Sequence, residues 1–391
     1  MKHRILFPVA IFSLFSLGAV GCSADSADDE LFPEDRCNEE GVTCQAYGRQ
    51  NHQNKPPAYE LGDGVRTPTL KLIHQGFAGS QPVDLEFNPR SPRELWIVSY
   101  ATHHLTIIKN AGTSRQASVP IERRDPAYSH YMYMPSALAM GGPLPPYGQT
   151  WAACGDNDSG GRDHMGPTLF TADLSIFATQ NPYTGLGSHL DMLHSTSYCR
   201  GLSWAGQGNQ YWAFNADKHA IDFYDFKSPH EPGGTDHSDG VVRRYWNNQV
   251  KGVDGVMSHI GYNPDDKKVY IADTGNKRIL ALDPSQGVAV APFPGTENIA
   301  ERQYYEAPIK VVVPPGNVLQ APSGIEASGG LAFVTDAATS KIHAFKLSDG
   351  SLVRTFDTGL APWSLAGLNF GPEGKIYFVD RREARVYRID P

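Results

Sequence analysis

Val269–Asp283 reads VYIADTGNKRILALD, two short β-prone runs on either side of Asp273-Thr274-Gly275-Asn276. Alternation along the first run, and a Gly-Asn pair able to supply positive φ, predict a tight hairpin. The unit returns as LAFVTDAATSKIHAFKL (Leu331–Leu347) and KIYFVDRREARVYRID (Lys375–Asp390), and more loosely at Glu94–Asn110 and Gln210–Phe226. One such hairpin cannot bury its own apolar faces. Copies must stack on one another, and only a repeat architecture does that.

A short anchor precedes each hairpin: Asp84-Leu-Glu-Phe, Ala137-Leu-Ala-Met, Gly201-Leu-Ser-Trp, His259-Ile-Gly-Tyr, Gly324-Ile-Glu-Ala and Gly367-Leu-Asn-Phe. Six anchors predict six four-stranded blades, an all-β six-bladed propeller. In the second unit TWAACGD (Thr150–Asp156) and PTLFTADL (Pro167–Leu174) are the hairpin strands around an inserted loop. The sequence stops at Pro391, directly after the third strand of the last blade. Thr69–Gln75, ahead of the first blade, alternates in a way that lets it serve as the missing outer strand, closing the ring and removing two sheet edges.

The stretch VYIADTGNKRI resembles the blade motif of NHL-repeat β-propellers. The likeness is close for the fourth blade; the fifth and sixth keep Asp336 and Asp380 without the Gly-Asn turn. It extends as architecture over about residues 69–391 and implies no single activity, since such propellers include binding scaffolds and enzymes. The peptidyl-hydroxyglycine lyases of this repeat class hold zinc with histidines at three anchors. Here only His259 stands at an anchor, so that lyase activity is not expected.

Residues 1–21 carry Lys2, His3 and Arg4 ahead of the apolar run 5–20, the form of an export signal. Gly21-Cys22 resembles a bacterial lipobox with Cys22 as the acylated residue, although Ala19 stands where Leu is usual. Residues 22–58 are acidic and polar, a disordered flexible tether; the propeller is assigned to 59–391. Five cysteines are an odd number, and lipidation of Cys22 leaves two pairs, Cys37–Cys44 and Cys154–Cys199. The formal charge is −8 overall. That excludes nucleic acid as a partner and leaves the lipid anchor as the only membrane attachment.

Chemistry is expected on the face where the blade-to-blade connections converge. Asp156, Asp158 and Asp163 around Gly160-Gly161 supply alternating carboxylates suited to calcium; a solvated Asx-turn loop that needs no ion is the favoured reading. His194 and His259, with His104 and His219 on neighbouring loops, suit zinc, copper or iron at the channel mouth. The loop Pro229–Gly240, with His230, Asp236, His237 and Asp239, is sent to the opposite face by strand alternation and reads as a long hairpin loop. Tyr198 and Arg200, among aromatics that include Tyr128, Tyr131, Tyr133 and Trp363, are candidate contacts for a peptide, sugar or protein ligand. No nucleophile elbow, HExxH helix or phosphate loop occurs. The expected function is a lipid-anchored envelope propeller, at the outer membrane or cell surface, that binds a ligand or protein partner without catalysis. The alternative is a metal-dependent hydrolase or lyase.

Overall fold

The computed structural model describes residues 55–161, 163–245, 250–316 and 318–391, all within the compact unit Thr43–Pro391. Cys22, Cys37, Cys44 and nearly all of the expected signal and tether lie outside the described residues. No helix among the described residues is long and apolar enough to cross a membrane.

The first strand is β1 (Thr69–Gln75), after a 3-10 turn at Tyr59–Leu61, and the sheets follow in order. Blade 1 is β2 (Pro82–Phe87), β3 (Leu95–Ser99), β4 (His104–Ile108) and β5 (Ile121–Arg123). After a helical turn, α1 (Tyr128–Tyr131), blade 2 is β6 (Pro135–Leu144), β7 (Gly148–Gly155), β8 (Thr168–Thr171) and β9 (Asp191–Met192). Blade 3 is β10 (Cys199–Trp204), β11 (Gln210–Asn215), β12 (Ala220–Asp225) and β13 (Val241–Tyr245). Blade 4 opens with β14 (Ile260–Asn263), β15 (Lys268–Asp273) and β16 (Arg278–Leu282); its outer strand is β19 (Ile309–Val313). The hairpin β17 (Val288–Pro292) and β18 (Glu301–Glu306) lies between them in sequence but joins blade 3, with β18 parallel to β13 and Val241 opposite Glu301. Blade 5 is β20 (Pro322–Ser328), β21 (Leu331–Asp336), β22 (Lys341–Lys346) and β23 (Leu352–Asp357). Blade 6 is β24 (Leu365–Phe370), β25 (Ile376–Asp380) and β26 (Arg385–Asp390), completed by β1 antiparallel to β26 from Thr69↔Asp390 to Gln75↔Arg385.

The innermost strands touch in a closed cycle, β2 to β6, β10, β14, β20, β24 and back to β2. The fold is the expected six-bladed, all-β propeller, with its first and last strands in one blade. Apolar residues on each sheet face pack against the next blade: Trp96 meets Trp151 between blades 1 and 2, Phe333 meets Phe370 between 5 and 6, and Phe87 meets Tyr377 across the closure. Burying each ring is worth about 3 kcal/mol. At two of the glycine anchors near the axis there is no room for a side chain. A Cβ on Gly201 would collide with the Ser258 carbonyl, and one on Gly367 with Asp84.

In blades 4 and 5 the recurring aspartate ties the hairpin to the connection before it. Asp273 accepts from the backbone N–H of Lys251, and Asp336 from those of Gln320 and Ala321. The turn itself differs from the sequence expectation. Positive φ falls on Lys277 (56°), not on Gly275 or Asn276, and its equivalents just before the third strand are His103, His219, Ser340 and Ala384. Gly275 is needed for closeness instead: a Cβ there would lie 2.8 Å from the Lys251 carbonyl oxygen.

Cys154 and Cys199 form the expected disulfide, with Cα atoms 5.8 Å apart. It pins β7 of blade 2 to β10 of blade 3, the two blades that carry the histidines described next.

Candidate metal centre

His189 precedes β9, the outermost strand of blade 2. His230 and His237 stand in the loop between β12 and β13, the outer pair of blade 3's own strands. One ring nitrogen from each lies within 4.8 Å of those of the other two. His189 is wholly buried and His230 only 8% exposed. The loop that the strand order sends to the far face also reaches back along the blade edge, bringing the His237 ring to 6.3 Å from that of His194.

The protonation of these rings follows from their partners. His189 Nδ1 lies 2.9 Å from the Leu186 carbonyl, His230 Nδ1 2.7 Å from that of Glu231, and His237 Nδ1 3.1 Å from Glu297 Oε2. Carbonyl and carboxylate oxygens only accept, so each Nδ1 carries the hydrogen and, in a neutral ring, the lone pair is on Nε2. All three Nε2 atoms are buried with no hydrogen-bond partner. Leaving one such atom unsatisfied costs about 1–3 kcal/mol. A cation that took these nitrogens as ligands would supply the missing partners.

Electrostatics favour the neutral, ligating form at two of the three rings. Burial pushes His189 down to about 3 and lowers His230, so both are neutral at pH 7 as ligands must be. At His237 burial is outweighed by Glu297 and Asp191, which favour positive charge on that ring. Asp191 has both carboxylate oxygens buried without a hydrogen bond, and burial pushes it up to about 8 against the pull of His237.

Glu297, in the loop between β17 and β18, joins this trio to a second. Its Oε2 accepts from His237 Nδ1 and, at 2.6 Å, from His194 Nδ1, while Oε1 accepts from the His194 backbone N–H at 2.7 Å. Arg302 donates to the Glu297 carbonyl and, at 3.3 Å, to Oε1. Burial would raise the carboxyl, but these hydrogen bonds hold it down at about 2. His194 Nε2 is thereby directed away from Glu297, 3.5 Å from His130 Nε2. The His164 ring stacks on His194 at 4.6 Å, and ring nitrogens of His130, His164 and His194 also lie within 4.8 Å of one another. Burial, then its histidine neighbours, lower His130 to about 4. Tyr131 stacks on His189 at 3.8 Å and walls the first trio.

The other expected ligands are placed elsewhere. His259 is 5% exposed; its Nε2 lies 3.1 Å from the Ser136 carbonyl and its Nδ1 3.6 Å from Asp84. It serves the axial packing and is not grouped with His194. His104 pairs with Glu122 at 2.9 Å, and His219 is an exposed turn residue with φ 53°. The carboxylates expected to share calcium are divided among separate partners: Asp156 binds Arg200, Asp158 binds Ser197 and Asp163 binds Lys218. Arg200 is buried between Asp156 and Asp254, so it braces the loops; Tyr198 is 39% exposed.

Sequence reasoning singled out His194 and noticed His230 and His237, but missed His130, His164 and His189 as ligands, and Glu297 altogether. The density of histidine between 130 and 237 was the available signal. Nothing local marks Glu297, whose hairpin crosses to another blade.

No protein-family model and no curated protein matches the chain. Similar solved structures include an auxiliary nutrient binding protein from Bacteroides thetaiotaomicron VPI-5482, 12% identical with a TM-score of 0.52 over 83% of this chain and 77% of that one. Another from Bacteroides ovatus ATCC 8483 is 13% identical, TM-score 0.51, over 83% and 73%. A luciferin-regenerating enzyme is 11% identical, TM-score 0.51, over 83% and 95%. At these identities the likeness is one of fold: the chain shares the propeller architecture of these proteins.

Proposed function

We propose that this chain is an exported, lipid-anchored propeller with NHL-like blades whose ligand is a late transition-metal ion, held by His189, His230 and His237. The observation that carries this reading is that a ring nitrogen of each of the three histidines lies within 4.8 Å of the other two, in rings whose Nε2 atoms are buried without a partner and whose Nδ1 atoms face acceptors. Neutral imidazole suits zinc and copper, and an Nδ1 tied to carbonyl or carboxylate is the usual outer support of a metal-bound histidine. The two auxiliary nutrient binding proteins of this architecture are binding proteins by name, in keeping with a binding role. The Cys154–Cys199 bridge belongs to an oxidising compartment.

Mature protein equilibrated with Zn(II) and desalted is expected to retain zinc, and His189→Ala and His230→Ala each to retain one equivalent fewer than wild type. Equal zinc by mass spectrometry in all three proteins overturns the reading. A second reading, metal-dependent hydrolysis or lyase chemistry, is favoured by the count of ligands: three protein ligands leave a position for water or substrate. For the anchor, Cys22→Ser is expected to move the protein from the membrane fraction to the soluble one; an unchanged distribution removes the lipoprotein assignment.

A further inference from the structure

Blade 2 is flanked by three more histidines that a propeller does not need. His130 follows the last strand of blade 1, His164 lies in the turn between β7 and β8, and His194 lies on the crossing to blade 3. Their ligand nitrogens converge within 4.8 Å, although the residues are 34 and 30 positions apart in sequence. Glu297 accepts from His194 Nδ1, leaving Nε2 as the lone-pair nitrogen. That nitrogen faces His130 Nε2 at 3.5 Å, long for a hydrogen bond. Two nitrogens on a tetrahedral ion with bonds of 2.0–2.1 Å lie about 3.4 Å apart. His164 completes the set from a loop shaped to hold it: Gly160 has φ 90°, and a Cβ there would collide with the His164 ring.

The two trios differ in access. In the first His189 and His230 are buried and His237 half-buried, whereas in the second His130 and His164 are both half-buried and only His194 is buried. An ion on the second trio would meet solvent, with three protein ligands and a remaining position open.

We propose that His130, His164 and His194 form a second transition-metal centre, linked to the first through Glu297, whose ion is reached by solvent and takes a small exogenous anion or water as its fourth ligand. This deepens the metal reading but uses three different ligands, so the two stand or fall separately.

The test uses metal-free mature protein titrated with Co(II), followed by its visible ligand-field bands and by mass spectrometry after desalting. Wild type is expected to hold two equivalents, His164→Ala one and His230→Ala one. Azide is expected to shift the cobalt bands of wild type and of His230→Ala but not those of His164→Ala. His130→Ala provides a second probe of the same centre, and circular dichroism confirms that each variant is folded. One equivalent in wild type, kept by His164→Ala and lost by His230→Ala, overturns the second centre and leaves the first. Two equivalents in both wild type and His164→Ala also overturns it. No cobalt in wild type removes both centres. Bands unmoved by azide in every protein overturn the open position.

Discussion

Glu297 holds two imidazoles with one carboxylate. It fixes His194 and His237 through Nδ1 and leaves Nε2 of each facing its own trio. Loss of such an outer partner typically weakens metal binding 10–100-fold without removing a ligand. Glu297→Gln keeps the size but brings an amide whose NH₂ cannot accept from Nδ1–H. Its zinc affinity by competition with a chromophoric chelator is therefore expected to fall about 10–100-fold. Affinity equal to wild type would falsify the orienting role. The residue scale also shows why part of the site was legible. His194, His230 and His237 stand out because histidine in a loop has no packing reason to be there, whereas a glutamate among eight residues of an inserted loop looks like any solvated carboxylate.

At the scale of the element, five of the six blades turn between their second and third strands with the same backbone and different residues. His103, His219, Lys277, Ser340 and Ala384 occupy positive φ just ahead of the third strand in blades 1, 3, 4, 5 and 6. The left-handed region costs an ordinary L-residue about 1–2 kcal/mol, partly offset by the entropy glycine loses on folding. Lys277 is exposed, so its side chain contributes little packing. Lys277→Gly is expected to stabilise the fold by about 0.5–1 kcal/mol, read as a higher urea midpoint at unchanged slope. A lower midpoint would show that the turn geometry is paid for by contacts of the side chain. The hairpins were legible because strand alternation and the terminal aspartate are local signals. The position of the strained residue was not, since the Gly-Asn pair offered a more obvious candidate and Gly275 is selected by the nearness of Lys251.

At the scale of the molecule, the channel carries acids that the fold prefers neutral. Burial, then the charge of Asp84, raises Glu326 to about 8, opposed only by a hydrogen bond from Asn369; burial also raises Glu86 well above the usual range. A folded-state value above the unfolded one, near 4.3, means a contribution that is complete below pH 4, declines as pH rises and is gone above pH 8. Wild-type stability measured against Glu326→Gln by denaturant unfolding is therefore expected to fall between about pH 4 and 8 and then level off. A difference independent of pH would show that Glu326 is solvated and ionised throughout.

The repeat, the number of blades, the closing strand Thr69–Gln75 and the Cys154–Cys199 pair were all determined by the sequence, because each rests on a periodicity, or on a position relative to one, carried by a few consecutive residues. The histidine cluster proposed to bind metal was decided by the tertiary structure. Its histidines come from loops attached to blades 1, 2 and 3, and its carboxylate from a hairpin that leaves blade 4 to pair with β13. A strand's direction tells where a loop starts and ends, but not the path between. The Pro229–Gly240 loop runs back along the blade edge, and Glu297 reaches His194 across 103 residues of sequence, through contacts that exist only once neighbouring blades have packed.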